Sequence, residues 1–205
     1  MPRIVDHARR REEIAKLAVR VIQEEGSENA TVRRIAKAGG FSIGVLTHYF
    51  KDKDELVAFT FEWIANQTFS DLDASVGGLP PGLARLRCAI EFMVPAPGAS
   101  SFMGVWLSLW GGAMHNPDLA KVHRGYYARW RRYVTRYVRE AVELGELAVP
   151  DSVRDAVDLL IAGVDGLWIG VAFERDRFRG ARRRQLVTRL IDSVVTSTAV
   201  RSRLP

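Results

Sequence analysis

The chain has 205 residues, 47% of them hydrophobic, and 30 Lys and Arg against 24 Asp and Glu leave a net charge of +6. That length can bury a sizeable core without covalent staples, and the single cysteine, Cys88, excludes an internal disulfide. With no signal peptide and no apolar run of roughly 20 residues legible in the sequence, a soluble cytosolic protein is expected.

The excess charge is uneven. Residues 1–53 carry 11 Lys and Arg against 7 Asp and Glu, so about a quarter of the chain holds +4 of the +6. Attraction to a phosphate backbone grows with the number of cations that approach it together, so the clustering favours a polyanionic partner. An ordinary solvated surface is the plainer alternative.

Apolar residues recur at spacings of three and four throughout, which predicts an all-α chain of about nine helices. The first begins near Arg10 and puts Ile14, Leu17, Ala18, Val21 and Ile22 on one face before Gly26 stops it. Thr31 caps a short second helix, with Val32, Ile35 and Ala36 inward and Arg33, Arg34 and Lys37 outward, and Gly39 and Gly40 break it. Ser42 caps a third short helix, whose Val45, Leu46, Tyr49 and Phe50 supply its buried or half-buried side. Asp52 and Glu55 have the form of a capping box for a long fourth helix. Along it Leu56, Phe59, Trp63, Ile64 and Gln67 trace one face, and Val57 and Phe61 add another.

Turn chemistry from Gly77 to Gly82 separates this helix from one carrying Leu83, Leu86, Ile90 and Met93, and a further break falls at Pro95 to Gly98. From Phe102 to Trp110 the chain is apolar nearly all round, so that helix is expected inside the second domain. Asn116 and Pro117 start another, with Leu119, Val122, Tyr126, Trp130, Tyr133, Tyr137 and Ala141 on one face and arginines on the other. Pro150 and Asp151 open the next, with Val153, Val157, Leu160, Val164, Leu167, Trp168 and Val171 inward. It contains Gly163, Gly166 and Gly170, each disfavouring helix by about 1 kcal/mol relative to alanine, which implies close approach by another backbone or a ligand. The last helix, from about Arg182 to Val200, presents Leu186, Val187, Leu190, Ile191, Val194 and Val195. The last two helices could together form an isologous dimer interface.

Two stubby helices joined at a glycine turn, with polar side chains at the start of the second, satisfy the plan of a helix-turn-helix over Thr31 to Phe50. The positions Thr31, Ile35, Ala36, Ala38, Gly39, Phe41, Ser42, Gly44, Leu46, Tyr49 and Phe50 resemble the N-terminal pattern of the TetR family of regulators. The sequence departs from that pattern at Gly40 and at Thr47, where many members carry tyrosine. The likeness runs through nearly the whole chain. The segments from Val105 to Arg132 and from Gly163 to Trp168 are similar to the BetI-type, choline-responsive subgroup.

The resemblance implies a DNA-binding domain at 1–53 and a helical effector-binding and dimerisation domain at 54–205. It implies that Ser42, Ile43, Thr47 and His48 face the major groove and that Thr31, Tyr49 and Lys53 grip phosphates, with Arg33 on the same DNA-binding surface. It further implies a homodimeric repressor on a palindromic operator of double-stranded DNA, in the cytoplasm with the nucleoid, released by a small molecule. For that effector, Phe92, Trp106, Trp110, Tyr126, Trp130 and Trp168 concentrate aromatic bulk together with Phe102, and Asp165 lies one turn from Trp168. Such a set could cage a cation such as a quaternary ammonium group, although aromatic residues at helical spacing are also plain core.

Two other classes compete. A helical enzyme would need a phosphate loop, a ligand cluster or a nucleophile beside a base, and His7, His48, His115 and His123 form no such pattern, so no catalytic residue, metal or cofactor is assigned. An interaction module could use the basic stretch from Arg124 to Arg139 on acidic proteins or anionic membranes, but charge runs on long helices are usually solvated.

Overall fold

A computed structural model describes residues 7–26, 29–96, 103–149 and 152–194. The regular elements among them are helices: α1 (His7–Glu25), α2 (Val32–Gly39), α3 (Ile43–Tyr49), α4 (Lys53–Val76), α5 (Leu83–Met93), α6 (Met103–Ala113), α7 (Pro117–Glu143), α8 (Val153–Phe173) and α9 (Gly180–Val194). Expectations placed on Phe102, Pro150, Asp151, Val195 and Val200 fall outside the described residues. The helices divide into two compact units. One takes the described residues up to 69 with 103–126, and the other takes 70–96 with the described residues from 127 onward.

In the first unit α1 buries Ile14, Ala15, Ala18, Val21 and Ile22, and α2 and α3 both pack on it. Ile35 and Ala36 of α2 and Leu46 of α3 fill the same core. The α1 stripe needs a partner, and α6, which buries Val105, Trp106 and Leu109, also packs on α1. Helix α6, expected inside the second domain, packs on the N-terminal helix α1 and groups with the first unit. The N-terminus of α4 is tied down as its sequence predicts. Asp52 Oδ1 accepts from the Glu55 N–H at 2.9 Å, and Glu55 Oε2 reaches back to the Lys51 N–H at 2.7 Å. Glu55 also pairs with Arg11 of α1 at 2.9 Å, and that guanidinium lies 4.6 Å and 4.4 Å from the ring centroids of Phe50 and Phe59.

In the second unit α8 packs against α9 and α5, burying Val157, Leu160, Val164, Trp168 and Val171. Its cap is Ser152, which accepts from the Asp155 N–H at 3.0 Å. The carboxylates of Glu140 and Glu146 accept from the Gly82 and Leu83 N–H groups at 3.2 and 2.7 Å, satisfying donors at the start of α5. Two of the three α8 glycines are explained by close packing within the chain. A methyl on Gly163 would overlap Leu190 of α9, and one on Gly170 would overlap the Phe178 ring. Gly166 instead faces open space.

Helix α8 is long and apolar enough, by length and composition, to cross a membrane, with a mean hydropathy of 1.8 over its best window. The expectation of no apolar run near 20 residues is corrected by α8, where only Asp158 and Asp165 interrupt the apolar stretch 156–173. Within its unit the helix uses that apolar surface for packing against α5 and α9.

Candidate nucleic-acid interface

Two helices of eight and seven residues, α2 and α3, meet across a turn made by glycines with different jobs. Gly40 holds φ +67°, a left-handed conformation that a side chain would strain, and closes α2 by donating from its N–H to Lys37 O while Phe41 N donates to Ala36 O. Gly39 is held by proximity, since a methyl there would stand 2.6 Å from both Leu17 Cδ1 and the Phe41 ring. Leu46 of α3 and Phe50, which caps its end one turn on, are buried and leave the opposite side of the helix free.

That free side carries the residues expected to read DNA. Ser42, Ile43, Thr47 and His48 are all exposed, and Tyr49 is half-buried. Thr31 and Arg33 are exposed on the α2 side, and Lys53 is half-buried at the start of α4. Val45 departs from expectation. Its spacing predicts a buried or half-buried place beside Leu46, but it is 37% exposed, because one residue along a helix turns it about 100° away from the Leu46–Phe50 line. Beside it Ile43 is 45% exposed, so the face mixes hydroxyls with branched aliphatics.

Hydrogen bonding fixes what each hydroxyl offers. Thr31 Oγ1 and Ser42 Oγ accept from the N–H groups of Arg34 and Val45 at 3.1 and 3.3 Å, which leaves each O–H free to donate outward. Thr47 has the reverse arrangement. Its hydroxyl donates to Gly44 O at 3.1 Å with Ile43 O at 3.3 Å, so Thr47 turns a methyl and an oxygen lone pair toward its surroundings. Arg34 is anchored by its Nε at 2.7 Å from Glu25 Oε1, which ties α2 to the end of α1. His48 and Tyr49 stand edge-on at 5.0 Å, and His7 at the start of α1 places its ring 4.7 Å from Tyr49 and 6.1 Å from His48. Sequence spacing gave no signal for His7, which lies far from the motif along the chain.

The aromatic residues considered for an effector divide between the units. Trp106 stacks on Tyr126 at 4.4 Å and Tyr126 on Phe69 at 5.3 Å in the first unit, where Trp110 is half-buried. Phe92, Trp130, Asp165 and Trp168 belong to the second unit, and there Trp130 is only 2% exposed. Asp165 is chemically unusual. Burial pushes its carboxyl up to about 6, against the opposing pull of a hydrogen bond from Tyr127 and the charge of Arg131.

Residues 14–58 match the family model of bacterial regulatory proteins of the tetR family, and residues 82–196, more than half the chain, match that of the BetI-type transcriptional repressor C-terminal domain. The chain belongs to the TetR family. It is a DNA-binding, ligand-responsive transcriptional regulator and not an enzyme. Among curated TetR relatives, the regulator PksA of Bacillus subtilis is 31% identical over 95% of this chain and 94% of its own. The regulator BetI of Proteus mirabilis is 28% identical over 94% of both. A transcriptional regulator of Saccharomonospora viridis crystallised with choline superposes with a TM-score of 0.82, covering 92% of this chain and 98% of that one at 22% identity, a likeness of fold. In this TetR member the match at 14–58 spans the whole of α2 and α3.

Proposed function

We propose that two copies of this chain bind an inverted-repeat operator, each laying α3 in a major groove, and release it when a cationic small molecule binds the helices beyond α4. On this reading residues 1–53 form the DNA-binding domain and 54–205 the effector-binding and dimerisation domain. The observation that carries the DNA half is the exposed face of α3 opposite Leu46 and Phe50. Ser42 donates to base or phosphate oxygens. Ile43 and the Thr47 methyl suit a thymine methyl, and the Thr47 oxygen suits an exocyclic amine. Thr31, Arg33, His48, Tyr49 and Lys53 take the phosphate and sugar contacts that fix register.

The dimer half rests on α8. Leu159, Ala162, Gly166, Ile169 and Phe173 follow a four-three spacing on its exposed side, with Leu159 at 59% and Phe173 at 71% exposure. Gly166 leaves open space in the middle of that stripe, room for a second helix to approach. With α9, this face makes the isologous contact, and two-fold symmetry in the protein demands the same in the operator. The regulator therefore works on the nucleoid.

The effector half rests on Asp165. A carboxyl already held near 6 by burial gains from a cation beside it, and Trp168, Trp130 and Phe92 of the same unit offer quadrupolar faces worth roughly 0.5 to 2 kcal/mol each. Trp106, Trp110 and Tyr126 are the aromatic set of the other unit and join the proposal as residues to substitute. Choline is the first compound to test.

Titration of the full chain with duplexes over a salt series checks the DNA half. Lys53→Ala is expected to weaken binding to all sequences and to flatten the slope of log K against log salt by about 0.9. An unchanged slope would remove Lys53 from the phosphate contacts.

A further inference from the structure

Three rings from distant parts of the sequence meet beside the reading helix. His7 is the first residue of α1, yet its imidazole lies closer to the Tyr49 phenol, at 4.7 Å, than His48 does at 5.0 Å. His7 and His48 are exposed, and Tyr49 is half-buried against them. Among the described residues, neither imidazole pairs with a carboxylate in the ion pairs of α1 and α3. The first-turn arginines of α1 that do pair, Arg9 and Arg10, reach inward along the helix to Glu13. Around His7 the structure gathers a second imidazole and a phenol. A group of ring hydrogen-bond donors beside the reading helix fits a phosphate oxygen.

We infer that His7 is a further DNA contact, donating from an imidazole nitrogen to a backbone phosphate beside the one held by Tyr49. The inference rests on the α3 docking proposed above. It extends the footprint of each protomer to the start of α1, an element that the helix-turn-helix pattern does not include.

The test uses the full chain and the tightest duplex that it recovers from a random pool. His7→Ala is expected to lower affinity about tenfold without changing the preferred sequence, and His7→Phe, which keeps a ring against Tyr49, is expected to lose as much. His7→Arg restores binding. Replacing single phosphates by neutral methylphosphonates should reveal one flanking position that weakens the wild type but has no further effect on His7→Ala, the non-additivity that marks a direct pair. Wild-type affinity in His7→Ala or in His7→Phe, or additive losses at every phosphate, overturns the contact. Thr47→Ala run in parallel separates the two ideas. If it shifts sequence preference while the His7 variants bind normally, only the His7 contact fails. If preference stays fixed in Thr47→Ala, or no duplex is recovered, the docking of α3 fails with it.

Discussion

Helices α3 and α8 both leave branched aliphatic side chains in solvent, and the way they do so differs. On α3 the exposed Ile43 and Val45 are interleaved with Ser42, Thr47 and His48, so every apolar group has a hydrogen-bonding neighbour. On α8 the exposed Leu159, Ala162, Ile169 and Phe173 form an unbroken stripe over about four turns with a glycine at its centre. The first surface suits a partner that is itself a mixture of methyls and polar edges, as a DNA groove is. The second suits another helix like itself.

Breaking the stripe should have the larger effect. The double substitution Leu159→Asp with Ile169→Asp puts like charges on both sides of a two-fold contact, and the protein is expected to sediment as a monomer. Because a second half-site then no longer adds its binding energy, operator affinity should fall by at least about 100-fold. An unchanged sedimentation coefficient would move the dimer contact elsewhere.

The next effect in size concerns Asp165. A carboxyl whose folded value is raised to about 6 binds a proton in the folded state that the unfolded chain releases near the ordinary value of 3.8. Its contribution to stability is therefore complete below about 4 and lost as pH climbs through about 6. Asp165→Asn removes that slope and is expected to stabilise the ligand-free protein at pH 7.5 by about 1–2 kcal/mol, a few degrees in Tm. A cationic effector needs the ionised form, so wild-type affinity for choline should drop about tenfold from pH 7 to pH 5, and the Asn variant should bind weakly at both. Calorimetry at the two pH values reads this directly, and a pH-independent affinity excludes Asp165 as the anionic partner.

The smallest effect tests the turn. Gly40→Ala forces a side chain into the left-handed region and should destabilise the chain by about 1 kcal/mol, visible in thermal melts. Gly39→Ala should cost more, because Leu17 and Phe41 have to shift to admit the methyl.

These comparisons also show where sequence was informative. Caps and turns are local chemistry, so Thr31, Ser42, Asp52 with Glu55 and the Gly39–Gly40 break could be placed from neighbouring residues alone. The jobs of the two glycines could not, because one is set by backbone dihedral and the other by Leu17, which lies many residues earlier in the chain. Helix α6 reads as apolar all round, and periodicity carries no address, so only coordinates show that it packs on α1. For the same reason Val45 was misplaced. On a helix of seven residues one apolar position more or less decides the face, whereas on α7 the line from Leu119 to Ala141 averages over many turns. His7 was invisible because nothing in a spacing pattern links the first residue of α1 to the last residue of α3. Among the α8 glycines, sequence foresaw close approach, and the structure assigns Gly163 and Gly170 to neighbours within the chain while leaving Gly166 on the open stripe.

The account stands on α3 reading a groove in two symmetry-related copies. Enrichment of duplexes from a random pool by the wild-type chain and by Thr47→Ala tests it most directly. The expected result is an inverted repeat with half-site centres about one helical turn apart or slightly more, whose preference changes at one pair of symmetric positions in the variant. Recovery of sequences without two-fold symmetry, or of the same repeat with identical preferences by both proteins, would contradict it.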